Sequence, residues 1–543
     1  MTLASPNSDL QLRDLGLLTL FAGLLFLPYL GARDLWNPNE PIYGQAVAEM
    51  AASDDWLIPT VNGQVFAEKP ILYYWMALVN AEILGGVDET SLRVPAALAG
   101  TGAVILTALL VAPYAGRRSA LIAAAILATQ YQVFWASRSV QMDILVLLFT
   151  LGCVTPLVRM LDFGLSPSKA WPLAGLALGL GFIAKGPVAV VIPGMIIALY
   201  SLVQGNFREL LGRWTSLGLV TATLVASPWY LGLWASGHWD FLVEVLYRQN
   251  VTRFLDAWDH QQPWWYYLKY VWIDYAPWSW LLPAVALQRR NQSTTAENSL
   301  AALSWIWIGS ILLFFSLSES KRAPYILPLA PAVAALVGVY VARWTRGDQT
   351  GKWSHRATIA VIGLFGVVFL GLGFVIVAGL VEIPPSLVGA SRVLGGTLAL
   401  GGALVLWSLR RPTQAASSPI ALGVAFTAIC VVLSAWGLPA MDSFKSARSF
   451  AKEMASIVDR ADGEIASAGF WKWRVDYVYY ANRHIPNLNA LSVTKFESAS
   501  KRPFLLVERR RGRDWTFPPP EDAEVVLSGK IVRPRRAPSC HPI

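Results

Sequence analysis

Long apolar runs recur along most of this 543-residue chain and constrain its fold more than any other feature. A helix that spans a bilayer needs about 20 mostly apolar residues, and runs of that kind occur from residue 12 to residue 438. Hydrophobic residues make up 55% of the chain and charged residues only 15%, a balance that soluble domains rarely reach. The sequence therefore predicts a polytopic α-helical membrane protein that contacts the lipid bilayer.

We count about thirteen such runs, some of them short. The first has a long apolar stretch and is followed by Gly31, Ala32 and Arg33, so we interpret it as a retained helix and not as a cleaved signal peptide. The predicted spans cover residues 12–30, 92–114, 119–136, 142–158, 171–184, 187–203, 215–235, 276–288, 300–317, 325–342, 358–380, 387–407 and 419–438.

Arginines in short loops predict the orientation, because cytoplasmic loops carry an excess of Lys and Arg. Pairs of arginines occur in alternate loops, near residues 117, 208, 289, 343 and 410. These loops are predicted to be cytoplasmic, as is the N-terminus. The first large loop and the C-terminal tail are then predicted to lie on the outer side.

The chain is predicted to have two domains. Residues 1–438 form a transmembrane domain with two large outer loops, 31–91 and 236–275. After Pro439 the composition changes, and residues 439–543 are predicted to form a small outer α/β domain. In that region SARSFAKEMASIVDR is typical of a helix, whereas EIASAGF and FLLVE are typical of strands.

The first outer loop contains two patterned stretches. Residues 42–52 place Ile42, Ala46 and Met50 on one stripe, which predicts an amphipathic surface helix. Residues 71–84 are apolar but would be only about 21 Å long as a helix, too short for a core of about 30 Å. They are predicted to lie in the membrane interface.

Ionisable residues gather near the predicted outer ends of the helices and in the first loop. Placing a charged side chain within the membrane costs free energy, so ionisable residues at that depth usually belong to a functional site or line a substrate pathway. A cation-rich outer cavity suits a lipid phosphate, which ammonium and guanidinium groups bind by charge-assisted hydrogen bonds. Lys69 is the leading candidate for this role, and the alternative is that side chains near helix ends snorkel to the interface. The residues concerned are Glu40, Asp54, Asp55, Glu68, Lys69, Arg138, Asp143, Lys185, Arg253, Lys321 and Arg322.

Several of these residues also have plain structural interpretations. Glu40 precedes Pro41, and an acid at that point complements the dipole at the start of a helix. Asp55 is a typical turn residue. His260 would need Glu68 as a fellow metal ligand, but no ligand spacing supports a metal site, and the three cysteines form no thiolate cluster in the sequence. We predict no metal and no cofactor.

Six blocks in order resemble the bacterial polyprenyl-phosphate-dependent glycosyltransferases, a group that includes the lipid A aminoarabinose transferases and is related to protein O-mannosyltransferases. The resemblance covers about residues 12–345. The blocks are WNPNEPIYGQAVAEM, SDDWLIPTVNGQVFAEKPILYYW, SRSVQMD, GFIAKGP, VTRFLDAWDHQQPWWYY and FFSLSESKRAPYILPLAP.

The resemblance implies a membrane enzyme of the C-type glycosyltransferase fold that works on the periplasmic side of the bacterial inner membrane. In that family an acidic pair precedes the first-loop helix, whereas this chain has Asn39 and Glu40, so Glu40 is the remaining carboxylate. Glu40 and Asp143 match positions of the family's motifs and, together with Asp55, are the candidate catalytic residues. Lys69, Arg253, Lys185 and Tyr325 also match such positions and, together with Lys321, are the candidate donor-phosphate ligands. Glu68, Arg138 and His260 are further candidates near the site.

We therefore expect transfer of one sugar, such as 4-amino-4-deoxy-L-arabinose, from undecaprenyl phosphate to lipid A or another glycolipid, with inversion. A carboxylate there can stabilise an oxocarbenium-like state or deprotonate an acceptor hydroxyl. The alternatives are a protein O-mannosyltransferase-like enzyme, a polysaccharide polymerase or ligase, and a flippase. A flippase would favour internal repeats, and none is evident. No feature predicts nucleic acid binding.

Overall fold

The structure of the protein is a computed structural model. It describes residue 3 and residues 10–252, 260–288, 293–348, 351–410, 416–468, 474–507 and 524–528. The chain forms two compact units. The first contains Met1–Leu30, Ala67–Tyr73 and Arg93–Gly437, and the second contains Gly31–Phe66, Tyr74–Leu92 and Leu438–Ile543. The second unit thus combines most of the first outer loop with the C-terminal region.

The described part of the chain is mostly α-helical. In chain order its α-helices are α1 (Leu12–Phe26), α2 (Asn39–Ser53), α3 (Leu72–Leu84), α4 (Glu89–Ala128), α5 (Tyr131–Ala136), α6 (Asp143–Phe163), α7 (Pro167–Lys185), α8 (Val188–Gln204), α9 (Arg213–Ala235), α10 (Trp239–Val243), α11 (Tyr266–Asp274), α12 (Leu282–Ala286), α13 (Thr295–Leu317), α14 (Ala330–Trp344), α15 (Lys352–Val377), α16 (Val388–Ser408), α17 (Ser418–Val432), α18 (Leu438–Ala440), α19 (Asp442–Lys445), α20 (Arg448–Arg460), α21 (Val475–Ala481) and α22 (Ala490–Ala499). Short 3₁₀ turns and two π-helical stretches connect some of them, at Phe207–Leu210, Glu244–Thr252, Trp278–Leu281, Ala323–Leu329, Pro385–Leu387 and Leu433–Gly437.

Among the described residues, 8 helical segments are long and apolar enough to cross a membrane. They are Glu89–Ala128, Asp143–Phe163, Arg213–Ala235, Thr295–Leu317, Ala323–Trp344, Lys352–Val377, Pro385–Ser408 and Ser418–Ala440. The prediction of a polytopic helical membrane protein is confirmed. The predicted number of about thirteen spans is not matched by full-length helices.

Backbone breaks explain part of this difference. The predicted span 92–114 and the first part of span 119–136 lie in helix α4, which is interrupted at Gly116 with φ 77° and ψ 170°, a conformation that favours glycine. The second part of span 119–136 forms the separate helix α5. The predicted span 276–288 forms the turn Trp278–Leu281 and the 5-residue helix α12, so it is wrong as a spanning helix. Pro277 and Pro283 lack an amide hydrogen and interrupt the helical ladder there.

Three other predicted spans correspond to helices that are shorter or less apolar than the 8 candidates. Spans 12–30, 171–184 and 187–203 match α1, α7 and α8, which have 15, 19 and 17 residues. In the first of them, the regular helix stops before the apolar stretch does. The sequence run therefore overestimates the length of regular helix at α1, whereas α7 is longer than its predicted span and α8 is as long as its own.

Small residues bring several helices of the first unit into backbone contact. A methyl group at Gly175 of α7 would clash with the carbonyl oxygen of Gly218 in α9. Gly402 of α16 likewise packs against the backbone of α15 at Leu370. Helices in lipid usually associate by close packing at small residues, because the hydrophobic effect does not drive their association there.

The second unit contains both sheets of the described chain. The hairpin strands β1 (Thr60–Val61) and β2 (Gln64–Val65) pair antiparallel. In the C-terminal region β3 (Glu464–Ala468) lies between β4 (Asn487–Leu488) and β5 (Pro503–Val507), and both pairings are parallel. The predicted helix and strands of a small C-terminal α/β region are confirmed, with residues 469, 470 and 508 of those motifs lying outside the described residues.

The predicted surface helix of the first loop is also present, as α2. Its apolar stripe of Ile42, Ala46 and Met50 is buried within the second unit. The first turn of α2 carries Glu40, and Asp54, the residue after the end of the helix, has a left-handed conformation with φ 56°. Helix formation at this position therefore fixes the backbone on which the candidate carboxylate lies.

Candidate active site

Glu40 is a buried carboxylate in the first turn of α2, with 6% of its surface exposed. Arg33 donates to both of its oxygens, from Nη1 to Oε2 at 2.5 Å and from Nη2 to Oε1 at 3.0 Å. The backbone N–H of Trp36 also donates to Oε2, at 3.2 Å. This fork of hydrogen bonds fixes the orientation of the carboxylate and compensates its charge.

The segment just before Glu40 contacts side chains from the C-terminal region. Asp442 accepts hydrogen bonds from the backbone N–H of Asp34 at 2.9 Å and from Nε1 of Trp36 at 2.7 Å. The Tyr480 hydroxyl oxygen accepts from the backbone N–H of the intervening residue at 2.6 Å. Burial is the main reason why the pKa of Asp442 is raised to about 6, and the two hydrogen bonds oppose that shift.

A second acid of the first loop holds the hairpin of β1 and β2. Glu49 accepts hydrogen bonds from Oγ1 of Thr60 at 2.7 Å and from the backbone N–H groups of Asn62 at 2.5 Å and Gly63 at 3.1 Å. These contacts join the last turns of α2 to the hairpin. They give Glu49 a structural role.

Asp55 caps the turn that follows α2. Its Oδ1 accepts from the backbone N–H groups of Leu57 at 2.8 Å and Ile58 at 3.3 Å. The side chain is exposed. This geometry supports the turn interpretation of Asp55.

In the first unit, three predicted site residues come together. Asp143 is the first residue of α6 and Lys185 is the last residue of α7, and the Lys185 ammonium donates to Oδ1 of Asp143. The same ammonium lies 5.1 Å from the ring centre of Tyr325. The side chains of Asp143 and Lys185 are 14% and 15% exposed, so the pair is largely withdrawn from water but not sealed from it.

Lys321 is buried in the loop that follows α13. Its ammonium donates to the carbonyl of Ser318, and its backbone N–H donates to the carbonyl of His260 at 3.0 Å. Burial lowers the pKa of Lys321. The next residue, Arg322, exchanges backbone hydrogen bonds with the hydroxyl of Tyr267, at 3.2 Å and 3.3 Å. His260 itself is exposed and has a positive φ of 56°.

The remaining predicted site residues have different surroundings. Lys69 and Glu68 are half-buried in the first unit, and the Lys69 ammonium donates to the carbonyl of Glu68 at 3.0 Å. Arg138 is buried and donates to carbonyls at the end of α1. Arg253 lies outside the described residues.

The groups that hold Glu40 are not predicted from the sequence. In the sequence Arg33 marks only the end of an apolar run, and Asp442 comes from a region more than 400 residues away in the chain. A sequence pattern gives no sign of such a pairing. Asp274 is also missed: it is buried, and its Oδ2 has no hydrogen-bond partner among the described residues.

Comparison with known proteins gives matches at the level of family and fold. Residues 68–231 match the family model for dolichyl-phosphate-mannose-protein mannosyltransferases. The undecaprenyl phosphate-alpha-4-amino-4-deoxy-L-arabinose arabinosyl transferase of Pseudomonas aeruginosa strain PAO1 is 31% identical over 416 residues, which cover 74% of this chain and 73% of the relative. The protein of the same name from Pectobacterium carotovorum strain PC1 is 29% identical, and the aligned part covers 67% of this chain and 66% of the relative.

A solved structure shares the fold. The crystal structure of ArnT from Cupriavidus metallidurans bound to undecaprenyl phosphate superposes with a TM-score of 0.70 at 20% identity, covering 90% of this chain and 89% of that chain. The same protein in the apo state gives a TM-score of 0.66 at 20% identity, covering 87% of this chain and 85% of that chain. The likeness extends over most of the chain.

Proposed function

Because this chain belongs to the ArnT-like polyprenyl-phosphate-dependent glycosyltransferases, we propose that it transfers one sugar from undecaprenyl phosphate to lipid A or a related glycolipid. The observation that carries the proposal is 31% identity over 74% of the chain to a relative named for transfer of an undecaprenyl-phosphate-linked sugar. We propose 4-amino-4-deoxy-L-arabinose as the sugar, because it is the sugar in that name.

The donor phosphate is proposed to bind to cations of the first unit. Lys69 is the leading ligand, and Arg253 is a further one that lies outside the described residues. An ammonium and a guanidinium group suit this role because both form charge-assisted hydrogen bonds with phosphate oxygens.

Two other candidate cations of the first unit, Lys185 and Lys321, also contact neighbouring groups, as Lys69 does. Lys185 pairs with Asp143 and lies over the ring of Tyr325, so we assign this trio to orienting the donor. The Lys321 ammonium donates to the Ser318 carbonyl, which favours a role in shaping its loop.

The proposed reaction is a displacement at the anomeric carbon. An acceptor oxygen forms a bond to that carbon while the bond to the donor phosphate oxygen breaks. The electron pair leaves with undecaprenyl phosphate, and the configuration inverts. Fixed cations at the departing phosphate favour this step because they stabilise the charge that develops there.

The surroundings of Glu40 favour an acceptor that is already ionised. A hydroxyl acceptor must lose a proton to a base, and a proton on Glu40 would leave the buried charge of Arg33 without compensation. Both oxygens of Glu40 accept hydrogen bonds from Arg33, and one also accepts from Trp36. We therefore propose that Glu40 orients the acceptor or tunes the local charge, and that the acceptor atom is a phosphate oxygen.

The proposed location is the bacterial inner membrane, with the reaction on the periplasmic side. This placement rests on the arginine-rich loops, which are predicted to be cytoplasmic. It puts the N-terminus in the cytoplasm and the C-terminal α/β region in the periplasm.

The direct test is mass spectrometry of lipid A from cells that lack the protein and from cells that express the wild type or Glu40→Gln. We expect a mass gain of one aminopentose with the wild type and little or none with the variant. Unmodified lipid A in all samples, with the protein present in the membrane, would contradict the proposed acceptor.

Donor binding is tested separately with purified protein and undecaprenyl phosphate. Lys69→Ala is expected to weaken binding, whereas Lys169→Ala, which changes an exposed lysine at the start of α7, is the matched control. Equal affinities for the two variants would contradict the role of Lys69.

A second candidate is transfer to a protein hydroxyl, which the match of residues 68–231 to the protein mannosyltransferase family model favours. It predicts hexose on periplasmic proteins and unmodified lipid A in the same cells. Mass spectrometry of periplasmic peptides distinguishes the two candidates.

A further inference from the structure

Residues 34–36, just before helix α2, are held by side chains from the far end of the chain. Asp442 accepts from the backbone N–H of Asp34 at 2.9 Å and from the indole N–H of Trp36 at 2.7 Å. The Tyr480 hydroxyl oxygen accepts from the backbone N–H of the residue between them at 2.6 Å. Three successive positions of the first loop therefore depend on side chains more than 400 residues later in the chain.

Arg448 and Glu89 reinforce this contact. Arg448 donates from Nη1 to Oδ1 of Asp34 at 2.7 Å and to Oε1 of Glu89 at 3.3 Å. The hydroxyl of Tyr480 donates to the same oxygen of Glu89 at 3.0 Å. Tyr480 is thus held as an acceptor for the N–H of Leu35, because its own proton is engaged by Glu89.

The same segment carries or adjoins the groups that hold Glu40. The backbone N–H of Trp36 donates to Oε2 of Glu40, while the indole of that residue donates to Asp442. Arg33, which forks onto both oxygens of Glu40, directly precedes the segment. A shift of residues 34–36 would therefore move both donors of the Glu40 carboxylate.

We propose that Asp442 and Tyr480 are positioning residues that hold the Glu40 carboxylate in its reactive orientation through residues 34–36. The proposal rests on the proposed function for its kinetic test. The C-terminal α/β region would then contribute to sugar transfer, because it holds residues 34–36, and these residues help to orient the Glu40 carboxylate.

The kinetic test is a double-mutant cycle on sugar transfer by the full-length protein. Asp442→Asn is expected to lower kcat by about 10- to 100-fold with little change in the KM for the donor, as expected when a group that orients the acceptor is displaced. In a Glu40→Gln background it should lower kcat no further, because the carboxylate that it positions is absent. Asp459→Asn is the matched control, since Asp459 pairs with Arg483 in the same region and is 65% exposed.

Tyr480→Phe provides a second variant that preserves the ring. It removes the acceptor for the N–H of Leu35 and should show the same dependence on Glu40. Equal losses of kcat in the wild-type and Glu40→Gln backgrounds would overturn the proposal, as would unchanged kcat in both variants.

Hydrogen–deuterium exchange supplies a readout that needs no acceptor. The amides of residues 34–36 should exchange faster in Asp442→Asn and Tyr480→Phe than in the wild type or Asp459→Asn. Unchanged exchange would overturn the proposal even if the wild type transfers no sugar to lipid A, whereas the absence of transfer by the wild type counts against the proposed function alone.

Discussion

Among individual side chains, Arg33 and Glu40 combine two buried charges in one pair. Their side chains are 5% and 8% exposed. Removing one partner of such a pair leaves the other charge buried without compensation, which is strongly destabilising. The pair is therefore expected to matter for folding as well as for the candidate chemistry.

We expect Arg33→Met to lower the free energy of unfolding by about 3–5 kcal/mol, the usual effect of breaking a buried pair. Arg483→Met should change it by no more than about 1 kcal/mol, because the partner of Arg483, Asp459, is 65% exposed. Thermal unfolding in detergent measures both. Similar stability of the two variants would contradict the view that Glu40 depends on Arg33.

The pKa of Asp442 makes a prediction about pH. Burial raises this pKa from 3.8 to about 6, with the charge of Asp34 adding to the rise and that of Arg33 opposing it. Because the folded-state pKa is raised, the contribution of Asp442 to stability is fully present below about pH 4 and is lost as the pH rises through about 6.

We therefore expect the unfolding temperature of the wild type to fall relative to that of Asp442→Asn as the pH rises from about 4 to about 7. The variant removes the titrating group, so the difference between the two proteins isolates its effect. A difference that stays constant over this range would contradict the assignment.

Individual contacts are the least predictable feature of the site. Residue type and the family resemblance single out Glu40 and Asp143, but they do not assign Arg33 and Lys185 as the partners of these acids. An ion pair depends on where two distant segments meet, and apolar periodicity does not report that. The turn contacts of Asp55 are predictable, since an acid in a turn commonly bonds the next backbone amides.

Among the helices, α1 is stabilised at its end by Arg138. This residue donates from Nη1 to the carbonyls of Leu25 at 3.1 Å and Phe26 at 2.6 Å, and from Nη2 to that of Pro28 at 2.7 Å. The last carbonyls of a helix have no partner within the helix, so a buried helix end needs donors of this kind.

We expect Arg138→Met to lower the free energy of unfolding by about 2–3 kcal/mol, the contribution of hydrogen bonds from a buried charged group. Arg159→Met in α6 is the control. Thermal unfolding and binding of undecaprenyl phosphate should be measured together. Full stability with lost donor binding would instead support the interpretation of Arg138 as a site residue.

Helices are predicted well where apolar runs are long and uninterrupted. Spans 142–158 and 300–317 correspond to α6 and α13. The prediction fails where an apolar stretch contains residues that cannot continue a helix. Residues 276–288 are an example, because they are apolar but contain Pro277 and Pro283. Hydropathy measures transfer to lipid, whereas helix continuity depends on backbone hydrogen bonds that proline cannot make.

For the protein as a whole, the segments that form the second unit restrict the membrane topology. Gly31–Phe66 and Leu438–Ile543 belong to one compact unit, although Arg93–Gly437 separates them in the chain. Two segments of one compact unit must lie on the same side of the membrane. The chain between them is therefore expected to cross the membrane an even number of times.

Cysteine labelling in cells tests this expectation. In a Cys540→Ser background, Ala52→Cys in α2 and Lys452→Cys in α20 introduce exposed thiols into the two segments, while Cys153 and Cys430 are buried. Both new thiols should react with a membrane-impermeant maleimide added to the periplasm.

The control for this labelling is Leu211→Cys, at an exposed position of an arginine-rich loop. Because such loops are predicted to be cytoplasmic, its thiol should react only after the inner membrane is permeabilised. Labelling of Ala52→Cys and Lys452→Cys from opposite sides would contradict the single unit. Labelling of both thiols only after permeabilisation would be consistent with the single unit but would reverse the proposed orientation. The unit requires only that its two segments lie on the same side of the membrane, and the arginines predict which side that is.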